Sequence, residues 1–287
     1  MRHLTLSIVG FVAILWLKVI YPASSGLPDT DFFWHLEYGQ WILEHGQLPP
    51  GDTFSWTHTG QPYLLTQWLG EVAIAFAYQL GGPLGTTLLA TALAGTAIGF
   101  AWRSAARYVE SPVALTLAVL CNAILIVMAM RPQMFSFAAT AIAIHLLLSW
   151  RESGKLRSAA MLVVLLAAWT NLHGAFVIGV LLLGINATGS TAEWILSKRP
   201  AGHLRFVRNQ WLLLLAGLAA TGINPYGFTA LTNVFMIGGL KSALVISEWK
   251  PVLLTTATGW FYLMYAAPFI AILVMSRARL PITHNLL

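Results

Sequence analysis

Charged residues are scarce in this sequence: 9% of its 287 residues are Asp, Glu, Lys or Arg, whereas 57% are hydrophobic. Soluble domains carry about 25% charged residues, so the composition excludes an ordinary soluble protein. The one cysteine, Cys121, excludes a disulfide framework and a cysteine-based metal site. Lysine and arginine outnumber aspartate and glutamate by 16 to 10. Because the cytoplasmic loops of membrane proteins are rich in basic residues, this excess does not indicate binding to nucleic acid. The composition therefore predicts an all-α, polytopic membrane protein.

Apolar runs long enough to cross a bilayer recur along the whole chain. A spanning helix needs about 20 mostly apolar residues, and eight segments approach or reach that length. A further segment, 64–82, carries Gln67, Glu71 and Gln79 along one helical face, so we expect it to lie in the membrane interface or to re-enter. The eight expected spans are 4–21, 84–102, 112–130, 133–150, 158–171, 174–192, 211–223 and 252–275.

The distribution of charge predicts which side of the membrane each loop faces. No lysine or arginine lies between Lys18 and Arg103, and six of the ten acids lie in that stretch. Because cytoplasmic loops are enriched in basic residues, we expect loop 22–83 to lie outside the cytoplasm and to contain short amphipathic helices. Residues 4–21 are expected to form an uncleaved first span rather than a signal peptide. We predict one integral membrane domain over 1–287, with no soluble C-terminal domain.

The outside loop begins with a cluster of polar side chains. Asp31 and His35 are four residues apart, so they share a face of the amphipathic helix that we expect over 31–45, ended by Gly46. Asp29 lies one turn earlier, which brings two carboxylates and an imidazole together at the membrane surface. Two interpretations stay open, because an acidic pair before an apolar run is typical of a helix N-cap as well as of a catalytic site.

Polar residues also mark the other turns that this topology places outside. Arg131 is the one arginine expected there, and a guanidinium can bind a lipid phosphate through two parallel hydrogen bonds. Instead of binding phosphate, Arg131 could extend its charged end to the membrane surface while its stem stays among apolar groups. The other polar turn residues could stabilise their turns rather than bind a substrate. Ionisable groups within a membrane tend to line functional cavities. The candidate substrate-binding residues are His35, Arg131, Asn171, His173, Asn224, Tyr226 and Glu248.

Together these features resemble the GT-C superfamily of integral-membrane glycosyltransferases. The first outside loop of that superfamily carries an acidic pair, and Asp29-Thr30-Asp31 fits its Asp-x-Asp form. The resemblance covers the topology of roughly residues 5–275. Two features depart from many relatives: no soluble domain follows the spans, and the first loop has no lysine. The sequence also resembles an uncharacterised bacterial branch of this superfamily at five short motifs, residues 31–36, 39–42, 131–133, 171–174 and 224–227.

The resemblance implies an enzyme of the bacterial inner membrane that works on its periplasmic or exterior face. Such an enzyme takes a hexose or pentose from a polyprenyl-phosphate carrier and transfers it to an acceptor glycan, lipid or protein. Asp29 and Asp31 are then the catalytic residues: one, with Asp29 favoured, deprotonates the acceptor hydroxyl, and the other orients the acceptor or helps bind a divalent cation. The cation would be Mg²⁺ or Mn²⁺, with His35 as a further ligand. The resemblance implies no other cofactor.

The resemblance also implies partners and a role for Arg131. Arg131 would neutralise the departing phosphate. The expected binding partners are the sugar donor, membrane lipids and a partner subunit. Binding to nucleic acid is not expected.

Other classes of function stay open. Eight spans around one polar cavity also suit a non-enzymatic transporter or flippase subunit that handles lipid-linked saccharides. Transporters of this kind have matched broken helices in two halves, and the sequence shows no correspondence between halves. A polymerase or ligase of lipid-linked chains would use basic residues in a large late outside loop. The segment 224–251 is short and has only Lys241 and Lys250.

Overall fold

The computed structural model describes residues 30–108, 130–196, 201–239, 253–256, 259–260 and 263. Within these ranges every regular element is a helix, which confirms the all-α prediction for this part of the chain. The helices are α1 (Thr30–His45), α2 (Trp68–Ala105), α3 (Gln133–Ser153), α4 (Leu156–Leu172), a short 3₁₀ helix (Gly174–Phe176), α5 (Val177–Leu196), α6 (Ala201–Ala220) and α7 (Thr229–Gly239).

Three of the described helical stretches are long and apolar enough to cross a membrane: Trp68–Ala105, Gln133–Ser153 and Gly174–Leu196. They indicate a membrane-associated protein. Of the eight expected spans, 4–21 lies wholly outside the described residues, and 112–130 and 252–275 lie almost wholly outside them. The count of eight therefore stays a prediction.

Helix α2 contains a break close to the boundary that the sequence predicts between segments 64–82 and 84–102. Gly81 and Gly82 leave the helical conformation, with φ/ψ of −157°/19° and 55°/−138°. The positive φ of Gly82 suits a residue without Cβ, and Pro83 has no N–H to contribute to the preceding turn. The apolar character of α2 continues on both sides of this break.

Two helices differ from the expectations. Helix α6 begins at Ala201, ten residues before the expected span 211–223, and takes in Arg205 and Arg208. The long stems of arginine tolerate a helix well, so the basic residues there do not mark a loop. Helix α7 lies in the segment 224–251, to which the sequence analysis assigned no helix.

The described residues fall into two compact units. One comprises the residues up to Leu181 together with Leu215–Ala230, and the other comprises Leu182–Leu214 together with the residues from Leu231 onwards. In the second unit Asn186 Nδ2 donates a 2.8 Å hydrogen bond to Gln210 Oε1, which joins α5 to α6. All the candidate site residues that the structure describes belong to the first unit.

Helix α1 confirms the helix predicted over 31–45, and Gly46, with φ of 66°, ends it. The helix buries Leu36, Tyr38 and Ile42. At Gly39 the helix crosses α2 so closely that a Cβ would collide with the carbonyl oxygen of Glu71. Only glycine allows this approach, which fixes the position of α1 on α2.

A second close approach joins α2 to the end of α4. A Cβ at Gly70 would collide with the carbonyl oxygen of Leu172. The side chains beside these contacts form an apolar core that includes Ile74, Met134 and Phe135. Two neighbouring glycine contacts thus bring α1, α2 and the end of α4 together at one place.

Replacing Gly39 with alanine is expected to destabilise the protein by about 1–3 kcal/mol, because the added methyl group must displace the Glu71 backbone. The thermal midpoint of the purified protein in detergent would measure this. Gly99→Ala is the matched control, since nothing lies within 4 Å of a Cβ there and alanine favours a helix. Equal midpoints for the two variants would contradict the close contact at Gly39.

Candidate functional site

Polar side chains from four parts of the first unit gather near the Gly39 and Gly70 contacts. They come from α1, from the start of α2, from the turn before α3, and from the turn between α4 and α5. Because helix ends and turns supply most of them, the packing of the helices sets their geometry.

Glu71 is the most deeply buried ionisable residue of this cluster, with a side chain that is 0% exposed. Its Oε1 lies 2.9 Å from His35 Nδ1 and accepts a hydrogen bond from Gln67 Nε2 at 3.1 Å, and the same Gln67 nitrogen lies 3.3 Å from His35 Nδ1. Its Oε2 has no hydrogen-bond partner among the described residues. Burying a carboxylate is expensive unless donors compensate it, so His35 and Gln67 are needed to keep Glu71 there.

Sequence reasoning missed the role of Glu71. It placed Gln67 and Glu71 on the polar face of 64–82 but did not connect them with His35. The signal that could have found them is an acid within an otherwise apolar helix, because such residues in membrane proteins tend to be functional. The partner of Glu71 lies 36 positions away, and only the contact at Gly39 brings the two together.

Asp31 and Arg131 form an ion pair, with Arg131 Nη1 3.0 Å from Asp31 Oδ2. Asp31 lies in the first turn of α1, where the helix dipole favours a carboxylate, and Arg131 lies just before α3. The Asp31 side chain is 55% exposed and that of Arg131 is 20% exposed, so the carboxylate of the pair is the more accessible to solvent. Asp29 lies outside the described residues, and the choice between capping and catalysis at 29–31 stays open.

His173 lies in the turn between α4 and α5, and two residues bond to its side chain. Its Nδ1 accepts a hydrogen bond from the backbone N–H of Ala175 at 3.2 Å and contacts Ser136 Oγ at 2.8 Å. Ser136 Oγ in turn accepts from Trp169 Nε1 at 2.8 Å. Burial, and then the nearby His35, lower the pKa of His173 from 6.5 to about 4. The imidazole is therefore neutral at physiological pH.

The other described candidates hold the backbone in place. Asn171 Oδ1 accepts from Trp68 Nε1 at 2.9 Å, and its Nδ2 donates to the carbonyl of Ile223 at 2.8 Å. The hydroxyl of Tyr226 accepts from the backbone N–H of Leu65 at 3.1 Å, and burial raises its pKa. These bonds tie the turn after α6 to α4 and to the residues before α2.

Asn224 shapes its own turn. Its Oδ1 accepts from the N–H of Tyr226 at 2.8 Å, and its Nδ2 donates to the carbonyl of Gly227 at 2.9 Å. This geometry supports the turn interpretation for Asn224, as the bonds to backbone do for Asn171 and Tyr226. Glu248, the last of the candidates, lies outside the described residues.

Aromatic rings form one wall beside α1. Tyr38 stacks on Tyr63 at a centroid distance of 5.6 Å and meets Trp34 and Phe54 edge to face at 5.2 and 4.8 Å. Burial raises the pKa of Tyr38 to about 12. The wall fixes the loop between α1 and α2, whereas Trp56 in that loop is 97% exposed.

A metal ion does not fit the described part of the cluster well. Within the described ranges no group of three His, Cys, Asp or Glu side chains could hold one. A divalent cation at Asp31 would meet the positive charge of Arg131, 3.0 Å from the same carboxylate. Asp29, the other expected ligand, lies outside the described residues.

Comparison with protein-family models gives no match, and no curated protein matches the sequence. The likeness to the GT-C superfamily rests on the motifs and topology given above, and the family assignment stays a proposal.

The low pKa of His173 makes stability depend on pH. The unfolded chain takes up a proton near pH 6.5 and the folded chain only near pH 4, so His173 destabilises the fold progressively as the pH falls through this window. The full loss is about 3 kcal/mol. In His173→Asn, where an amide oxygen replaces the Nδ1 acceptor, we expect a shallower fall of the thermal midpoint between pH 6.5 and 4. An equal slope in both proteins would contradict the low pKa.

Proposed function

We propose that this chain is a glycosyltransferase of the bacterial inner membrane, and that it transfers a sugar from a polyprenyl-phosphate carrier to an acceptor on the extracytoplasmic face. The observation that carries the proposal is the 3.0 Å contact between Arg131 and Asp31. It puts a guanidinium suited to phosphate beside a carboxylate of the Asp-x-Asp pair, although the two residues are far apart in sequence.

In the proposed reaction, the acceptor oxygen forms a bond to the anomeric carbon of the sugar while the bond from that carbon to the phosphate oxygen breaks. The electron pair leaves with the polyprenyl phosphate, whose charge Arg131 stabilises. The proton of the acceptor hydroxyl passes to a carboxylate, either Asp29 or Asp31, acting as a general base. The exposure of Asp31 supports access by an acceptor from outside.

A lipid-linked donor also requires contact between the protein and the bilayer. Helix α2 supplies an apolar surface through Phe76, Leu80, Leu84 and Leu88, all more than half exposed. Phe76 and Leu80 lie four residues apart before the break in α2, and Leu84 and Leu88 lie four residues apart after it. Large exposed apolar side chains at this spacing are typical of contact with lipid. This surface lies on the same helix as Glu71, which supports a site that a membrane-bound substrate can reach.

One observation favours the alternative of a transporter or flippase subunit. Transporters use broken helices at their substrate sites, and α2 is broken at Gly81 and Gly82. Transporters with repeated halves have a matching break in the second half. Among the described helices, α3 and α4 show no such break, and the enzyme is the function that we propose.

Arg131→Gln is expected to weaken binding of a polyprenyl-phosphate sugar by about tenfold or more, because a charge-assisted phosphate contact is lost. Binding and sugar transfer by the full chain in lipid nanodiscs would measure this. Arg107→Gln is the matched control. Arg107 is paired with Glu152 and bonded to Ser149 Oγ at 2.7 Å, near the other end of α3. Equal donor affinity in both variants would remove the phosphate role of Arg131.

Replacing the acids tests the general base. Asp31→Asn and Asp29→Asn are each made in the full chain, and we expect at least one to lower sugar transfer by about 10²–10⁴-fold. Full transfer in both variants would refute the catalytic role of the pair. Movement of the intact lipid-linked sugar across vesicles by wild-type protein, with no sugar transferred, would instead identify the transporter.

A further inference from the structure

Basic side chains gather where α2 and α3 end and α4 begins. The ranges 101–108 and 149–160 carry five basic residues and one acid, Glu152, which gives a net charge of +4. The other end of α3 differs, because Arg131 there is paired with Asp31. The five bases are called the basic end: Arg103, Arg107, Arg151, Lys155 and Arg157.

One arginine and one tight turn hold the basic end together. Arg107 joins α2 to α3, with its Nη1 2.5 Å from Glu152 Oε2 and its Nη2 donating to Ser149 Oγ at 2.7 Å. Gly154, with φ of 63°, ends α3, and α4 begins two residues later at Leu156. The bases therefore belong to one fixed part of the first unit rather than to separate loops.

Three of these bases carry charge that the described part of the protein does not balance. Glu152 is the one acid of the two ranges, and it is already paired with Arg107. Arg103, Lys155 and Arg157 are exposed and form no ion pair with any residue that the structure describes. Because like charges repel, a fold that keeps them together favours an anionic partner.

The position of the basic end indicates a lipid surface. Helix α3 is long and apolar enough to cross a membrane, and Arg151 lies in its last turn. A membrane crossed by α3 therefore has its headgroups near these bases. Leu156, which lies between Lys155 and Arg157, is 76% exposed. An apolar side chain flanked by bases suits the boundary between headgroups and hydrocarbon.

We propose that the basic end binds the headgroups of anionic phospholipids in the leaflet that it faces. Arg103, Lys155 and Arg157 supply the charge, and Leu156 reaches the acyl region. The basis is charge complementarity, since basic clusters directly beside the end of a spanning helix are typical of anionic lipid recognition. Arg107 has a different part, because its charge is met by Glu152 and it holds α2 against α3. The proposal does not depend on sugar transfer.

The affinity of the full chain for single lipids tests the proposal, with native mass spectrometry counting the lipids bound in detergent. Phosphatidylglycerol and phosphatidylcholine with the same acyl chains are the probes, because they differ in net charge. We expect the first phosphatidylglycerol to bind about tenfold more tightly than phosphatidylcholine, and added salt to reduce the difference. Equal affinities for the two lipids would overturn the proposal.

Paired variants locate the binding. Lys155→Gln with Arg157→Gln removes two exposed charges and should lower the affinity for phosphatidylglycerol about tenfold, with that for phosphatidylcholine unchanged. Lys155→Arg with Arg157→Lys keeps the charge and should keep the affinity. Arg205→Gln with Arg208→Gln is the matched control, because these exposed arginines belong to α6 in the second unit. An equal loss in the control would show diffuse attraction and overturn the site.

Two further probes distinguish other anionic partners. Inorganic phosphate that displaces phosphatidylglycerol better than chloride at the same ionic strength would show a site for free phosphate. A short RNA that binds the wild-type chain more tightly than phosphatidylglycerol, and that the Lys155→Gln and Arg157→Gln double variant no longer binds, would assign the bases to nucleic acid. Either result would overturn the assignment to lipid.

Discussion

The buried carboxylate of Glu71 is the interaction on which the first unit depends. A carboxyl group without exposure to water must find its hydrogen-bond partners within the protein, because leaving a buried polar group unsatisfied is destabilising. His35 supplies one such partner from α1, so α1 has to lie directly against α2. Gly39 makes that distance sterically possible, and Gly70 extends the same arrangement to α4. The polar cluster is thus a consequence of how three helices are held together.

The site also divides into an inner and an outer part with different physical character. The inner part, formed by Glu71, His35 and His173, is largely buried, and hydrogen bonds fix each group. The outer part, Asp31 with Arg131, is more exposed and ionic, and water screens it more strongly. The proposed substrate carries a charged phosphate, which suits the ionic outer part, and neutral hydroxyl groups, which suit the hydrogen-bonding inner part.

The sequence predicted those parts of the structure that depend on residues close together in the chain. Helix α1 and its end at Gly46 followed from helix periodicity and a glycine stop, and the predicted division between segments 64–82 and 84–102 lies close to the break in α2. The pairing of His35 with Glu71, and of Ser136 with His173, could not be predicted, because each joins residues more than 30 positions apart through packing. The longer α6 was missed since charge was taken as the mark of a loop.

Helix α3 has a consequence for how the site is placed in depth. Its 21 residues span about 31 Å, close to the thickness of the hydrocarbon layer. Arg131 stands before its first turn, and Arg107 is bonded to Ser149 near its last. Guanidinium groups resist entry into hydrocarbon. A spanning helix with a guanidinium group at each end therefore has a fixed depth in the bilayer. If α3 spans a membrane, Arg131 and the carboxylate of Asp31 that it contacts would lie at one membrane surface and Arg107 at the other.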